Sequence, residues 1–162
     1  MVDTKVDKLR KDEFVANIAG ERNKLRTYRL FKTEPGLEDY TRILCRKNRR
    51  LIVELRCGVL PLRIETERWK HKDLRLPAHL RFCQLCDRQA VEDEEHFLLD
   101  CPVYNSERDN LGHLLEGDGC AFCVLSDKEK FRTLMQGRST RIANYIRICL
   151  RKRSQLLADL QE

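Results

Sequence analysis

No stretch of this chain approaches the roughly 20 consecutive apolar residues that cross a bilayer. The opening MVDTKVDKLRKDE has no apolar core of the kind a secretory signal carries. Both absences lead to the expectation of a soluble, intracellular protein, nuclear or cytoplasmic or both, with no membrane partner. Glycine is scarce, at 7 of 162 residues, and none of it builds a phosphate-cradling loop or a nucleophile elbow. No two aspartates are adjacent. A complete polymerase or nucleotidase site is therefore not encoded, and no catalytic residue is assigned. Strand signals are confined to residues 81–85 and 89–91, too little for a thick β-sandwich.

Charge is what the chain has in excess. Charged residues make up 36% and hydrophobic ones 41%, against a usual charged share of about a quarter. That balance favours thin, largely helical packing. The net charge of +6 is unevenly spread. Residues 42–56 hold six basic side chains (Arg42, Arg46, Lys47, Arg49, Arg50 and Arg56) against Glu54 alone, and residues 138–153 hold six more with no acid. Between 91 and 118 the balance reverses, with nine acids against Arg108. Asymmetry of this kind accompanies anionic partners; the plainer alternative is solvated helix faces.

Helical periodicity runs through residues 3–18, 21–32, 37–44 and 47–60, with Gly58 and Pro61 ending the last of these. Residues 62–81 read as a loop with one helical turn. Pro102 suits the first turn of a helix that Gly117 stops, and Ser126 and Gly137 bracket another. The clearest amphipathic pattern is the last, through Ile142, Tyr145, Ile146, Cys149, Leu156 and Leu160. The expected fold is mainly α, a helical array with a small zinc-stabilised β-hairpin or knuckle. Its parts are a basic helical region over 1–75, a metal module over 76–115 and terminal helices over 116–162, together one compact unit.

The metal module rests on Cys83-x2-Cys86-x9-His96-x4-Cys101. Two residues between thiols let both point across one tight knuckle, and zinc takes four such donors at tetrahedral corners. On a continuous α-helix, His96 and Cys101 would face about 140° apart. Pro102 pushes Cys101 out of the α region, so a helix broken between them allows both to converge. The acids Glu92, Asp93, Glu94 and Glu95 sit where a helix dipole favours them. The alternatives are a carboxylate acting as general base on metal-bound water, and cysteines that are merely apolar. Four protein ligands close the coordination shell, which favours one structural Zn2+.

Cys120 and Cys123 form a second Cys-x2-Cys after His113, but in an apolar segment; they read as core cysteines, as do Cys45, Cys57 and Cys149. His71 and His79 read as surface imidazoles. Trp69, the only tryptophan, stands among Arg68, Lys70 and Lys72; core packing is the default, and stacking on a base is the alternative.

The segment LRFCQLCDRQAVEDEEHFLLDCPVYNSER resembles the zinc-binding (CCHC) segment near the C-terminus of reverse transcriptases of non-LTR retrotransposons. KLRTYRLFK and RRLIVELRCGVLPLRIETERW resemble the stretch that joins the polymerase thumb to that module. The resemblance covers about residues 25–153 and is most specific over 83–108. It implies Cys83, Cys86, His96 and Cys101 as ligands. The polymerase aspartate box and any endonuclease signature are missing, so only an accessory C-terminal part of such an enzyme is resembled. The polymerase portion of a parent element is then a possible partner. The reading that follows is a non-catalytic module binding RNA or DNA through phosphates, with Arg46, Lys47, Arg49, Arg50, Arg147, Arg151, Lys152 and Arg153 as the contacts. The alternative is a helical protein-interaction scaffold derived from such an element, its basic faces meeting an acidic protein or the chain's own acidic segment. A zinc-dependent hydrolase is a weaker third.

Overall fold

The computed structural model describes residues 4–20, 25–43, 45–116, 122–136 and 139–160. Among the described residues there are six α-helices: α1 (Thr4–Ala19), α2 (Arg46–Cys57), α3 (Arg63–Thr66), α4 (Asn105–Glu116), α5 (Asp127–Gln136) and α6 (Ser139–Asp159). Short 3-10 turns link them. Among the described residues there is no strand, only one antiparallel bridge, Phe82 with Val91. The expected hairpin is reduced to that bridge. Cys83 N–H donates to Ala90 at 2.8 Å and Glu92 N–H to Arg81 at 2.9 Å. Beyond them the chain bends into the cysteine knuckle, and Gln89 turns with φ 50°.

The centre of the fold is α6 packed along α2 and α4. On α2, Asn48, Ile52, Leu55 and Arg56 form the inward stripe. On α6 the stripe is Ile142, Ala143, Tyr145, Ile146 and Cys149, all buried. Both follow the period-3.6 pattern. Leu160, expected on the same stripe, is exposed because the helix runs past the core. One hydrophobic cluster takes in Phe31, Leu55, Leu62, Cys83, Phe97, Cys101, Leu115, Phe131 and Ile146, so each of the three expected regions contributes to it.

Helix ends follow their local chemistry. Gly58 lies beyond the end of α2 with φ 68°. Its N–H reaches Leu55 O at 3.1 Å while Val59 N–H reaches Glu54 O at 2.9 Å, the paired pattern of a Schellman stop. A Cβ at Gly58 would lie 2.5 Å from Thr27 Oγ1. At the start of α5, Glu129 accepts from both the N–H and the hydroxyl of Ser126, at 3.0 and 2.6 Å; the first bond is the side-chain-to-N-cap half of a capping box. Gly117, Gly137 and Arg138 lie outside the described residues.

The N-terminal third departs from expectation. Of the stripe on α1, Ile18 is buried and Phe14 half-buried, whereas Val6 and Val15 are exposed. The helix meets chiefly the Tyr28–Leu30 turn. Within the expected helix over 21–32, the described part holds one 3-10 turn, Tyr28–Leu30; within 37–44 there is another, Asp39–Arg42. Tertiary bonds override helix propensity here. Arg26 and Thr27 are drawn to Glu94, and Glu38 collects Tyr28, Lys32 and Arg56. Arg56, one of the six basic residues of its stretch, is consequently buried and lies against the rings of Phe31 and Tyr40.

Candidate metal centre

Cys83 and Cys86 stand on the knuckle that follows the Phe82–Val91 bridge. His96 and Cys101 come from the next turn. Asp93 opens that turn: its carboxylate accepts the His96 N–H at 3.0 Å and its carbonyl the Phe97 N–H at 3.0 Å, an N-cap. The turn is not broken, as the α-helical spacing suggested, but widened. His96–Asp100 is a π-turn, closed by Cys101 N–H to His96 O at 2.8 Å. A bond spanning five residues brings positions five apart back to the same side. Cys101 itself is extended, with φ −62° and ψ 119°, as Pro102 demands.

The four donor atoms lie within 4.8 Å of one another, and Cys86 Sγ is 3.4 Å from His96 Nε2. A tetrahedral ion with metal–sulfur bonds of about 2.3 Å and metal–nitrogen bonds of about 2.0 Å separates its donors by roughly 3.5–3.8 Å. The cluster fits such an ion after small side-chain movements, and it could hold a metal. Three sulfurs and one imidazole suit a soft or borderline cation rather than magnesium or calcium.

The backbone is also arranged for sulfur anions. Cys83 accepts the N–H of Leu85, Cys86 that of Arg88 and Cys101 that of Val103. Without a cation the site holds protons instead. Cys83 is pushed up to about 12 by its hydrogen bond to Cys101 and by burial, and Cys101 is lowered as the acceptor in that pair. Burial raises Cys86. His96 Nε2 faces the sulfurs, while its Nδ1 is buried without a partner. Among the described residues, nothing makes the second hydrogen bond to the ring that metal-binding histidines usually have.

The surrounding shell was not legible in the sequence. Glu92 and Glu94, expected at a helix dipole, are buried and turned inward. Glu92 takes both nitrogens of Arg153, each at 2.7 Å, and the Arg63 N–H at 2.8 Å. Glu94 takes Arg26 at 2.6 Å and Thr27, and Arg26 also reaches Gly58 O at 3.2 Å. Burial raises the Glu94 carboxyl, with the Arg26 charge opposing it. Arg108 closes the far side, donating to Leu98 O and Cys101 O at 2.9 Å each, and Tyr145 donates to Leu98 O at 3.0 Å. Arg108 of α4 and Tyr145 of α6 thus tie down the end of the turn, where Cys101 O also accepts the Tyr104 N–H at 3.2 Å. The one cue in the sequence was Arg108 standing alone among nine acids.

The basic residues separate into two sets. Arg46, Lys47, Arg147 and Arg151 are exposed, with no carboxylate at ion-pair distance among the described residues. The Cys45 thiol is lowered first by the Asn48 N–H at the start of α2, and further by the charges of Lys47 and Arg147. One cation of α2 and one of α6 thus both act on this exposed thiol. The others are engaged. Arg49 is half-buried and donates to Ile43 O at 3.1 Å; Arg50 pairs with Glu54 and Lys152 with Glu107. Arg153, expected on a phosphate, is 11% exposed and is held by Glu92 inside the fold.

Of the other residues singled out, Cys149, His71 and His79 lie where expected, and Cys45, Cys123 and Trp69 do not. Cys149 is in the core, Cys57 is half-buried, and Cys45 and Cys123 are exposed rather than core. Cys45 precedes α2 and Cys123 lies in a surface turn, where the neighbouring apolar residues do not carry them inward. Cys120 lies outside the described residues. His71, His79 and His113 are at the surface. Trp69 is 65% exposed instead of packed in the core. No described helix is long and apolar enough to cross a membrane. No family model, curated protein or solved structure matches the chain.

Proposed function

We propose that this chain is a zinc-structured, non-catalytic nucleic-acid-binding module. The metal is zinc, held by Cys83, Cys86, His96 and Cys101. Three thiolates and an imidazole at tetrahedral spacing are a common closed set for zinc. A closed shell leaves no position for a reacting water, and the neighbouring acids have other tasks: Asp93 caps the turn, and Glu92 and Glu94 hold arginines. Zinc here fixes the knuckle against the helices.

The observation that carries the binding reading is the set of exposed cations at the start of α2, Arg46 and Lys47, and on α6, Arg147 and Arg151 one turn apart on one face, with Lys47 and Arg147 both acting on the Cys45 thiol. These four, without carboxylate partners among the described residues, offer a seat for phosphates. The likeness of residues 83–108 to the CCHC segment of non-LTR retrotransposon reverse transcriptases supports the same reading. It makes the chain an accessory part of such an enzyme or a derivative of one.

Each neutralised phosphate adds about 0.7–0.9 to the slope of log affinity against log salt. Neutralising Arg46, Lys47, Arg147 and Arg151 to glutamine together should weaken binding to RNA and DNA and lower that slope by about 3, measured by anisotropy at several salt concentrations. Binding that is absent, or insensitive to salt, refutes the reading.

A protein-interaction scaffold is the second reading, and one feature favours it. Leu111, Leu114, Tyr145 and Ile148 line a groove of about 310 Å3 between α4 and α6, with Leu114 and Ile148 half exposed. Capture of a protein partner that survives nuclease treatment and is lost in a Leu114→Glu, Ile148→Glu variant is the result that favours it.

A further inference from the structure

The loop between α3 and the knuckle presents the molecule's only tryptophan to solvent on a fixed support. Trp69 ends a 3-10 turn, Glu67–Trp69, that continues directly from α3. Its base is tied down from within. Glu65 and Glu67 are buried, at 2% and 3% exposure, and hold Arg68 at 3.0 Å and Lys70 at 2.6 Å. Arg81, buried as well, donates to Ile64 O at 2.6 Å and Leu76 O at 2.9 Å, joining the two ends of the loop. Arg75 reaches back to Lys70 O at 3.2 Å, beside Trp69.

The indole is nonetheless 65% exposed. Among the described residues no aromatic ring or guanidinium covers either of its faces. A tryptophan ordinarily buries most of its large apolar surface, and this loop holds it out.

Two further cations of the loop, Lys72 and Arg75, have no acid partner among the described residues, unlike Arg68 and Lys70. Arg75 bonds only a backbone carbonyl. Between Lys70 and Leu80 the single acid, Asp73, lies against His71 at 3.1 Å. A fixed aromatic face beside unpaired cations is the arrangement that binds single-stranded nucleic acid: a base stacks on the ring and the flanking phosphates meet the cations. Duplex bases are already stacked on one another and cannot use the ring. Leu74 and Leu80 are also exposed, but the loop consists of single 3-10 turns and has no continuous helical face to lie in a lipid surface.

We propose that Trp69 is a stacking platform for an unpaired base of single-stranded RNA or DNA, with Lys72 and Arg75 on the adjacent phosphates. This rests on the nucleic-acid reading above and adds the strand type and the seat of the base.

Because Trp69 is the only tryptophan, its fluorescence reports the contact directly. The zinc-loaded full chain is titrated with a labelled oligo(dT) or oligo(U) of about 12 nucleotides and with a duplex of the same length, following indole emission and anisotropy together. The expected result is quenching by the single strand. Trp69→Ala should weaken single-strand affinity by roughly five- to a hundredfold and leave duplex affinity unchanged, with Trp69→Phe in between. Circular dichroism of each variant confirms the fold, which an exposed side chain should not disturb.

Single-strand binding with unchanged emission, and with equal affinity in Trp69→Ala, overturns the stacking site while leaving the phosphate surface of α2 and α6 standing. No binding to any nucleic acid overturns both. Emission that shifts with phosphatidylserine vesicles but not with oligonucleotides makes the loop a lipid contact and overturns the proposal.

Discussion

Arg153→Ala removes one half of the most deeply placed ion pair near the metal turn, and its cost can be worked from the structure. Both nitrogens facing Glu92 sit 2.7 Å from its oxygens, and the two side chains are 11% and 3% exposed. Without Arg153, the carboxylate keeps the Arg63 N–H at 2.8 Å and loses its counter-charge. Leaving a buried charge unpaired costs about 3–5 kcal/mol, against roughly 5–15 kcal/mol for a whole domain. At about 2–4 °C per kcal/mol for a chain of this size, the melting temperature should fall by about 10 °C. Urea unfolding of the zinc-loaded protein, followed by circular dichroism, measures the loss. A double variant, Glu92→Gln with Arg153→Met, removes both charges and should recover much of it, since the penalty belongs to the orphaned carboxylate. If Arg153 were instead a surface phosphate contact, its removal would cost under about 1 kcal/mol and would lower nucleic-acid affinity. That outcome refutes the assignment of Arg153 to the fold.

Three further outcomes test the metal and the frame around it. Purified protein should carry one equivalent of zinc, lost in a Cys83→Ser, Cys86→Ser variant; residues 76–115 should then lose hydrogen-exchange protection, and an unchanged melting curve on stripping would count against a structural role. Zinc uptake near pH 7 should release about two to three protons, because Cys83 and Cys86 lie above the ordinary thiol range in the metal-free site and must be deprotonated to bind; affinity therefore rises with pH, and calorimetry in buffers of different ionisation enthalpy would contradict this by showing no release. Gly58→Ala places a side chain at φ 68° and 2.5 Å from Thr27 Oγ1, and should cost about 1–3 kcal/mol in urea unfolding; equal stability would mean that the turn between Arg26 and α2 is not under the constraint described.

The reading of the sequence succeeded where the causes are local. A Cys-x2-Cys knuckle, a histidine and a cysteine held by a following proline are local features, and the structure brings their donor atoms within 4.8 Å of one another, where they could hold a metal. The stripes on α2 and α6 follow from spacing alone, and Gly58 stops α2 by its own backbone freedom. The π-turn was hidden because it differs from an α-turn only in which carbonyl receives the Cys101 N–H. That choice is favoured when Arg108 and Tyr145 satisfy the carbonyls near the end of the turn.

By itself, then, the sequence determined the helical class and the net positive charge of this protein, and singled out the four side chains that could hold a metal. Only the tertiary structure decided which of those charges face outward. Arg153 and Glu92 are 61 positions apart and Arg26 and Glu94 are 68 apart, and no local pattern couples residues at such separations. A carboxylate that the turn carries into the core must find a cation there, because burial without one is too costly. Folding therefore draws some of the arginines inward and leaves the rest, with Trp69, at the surface.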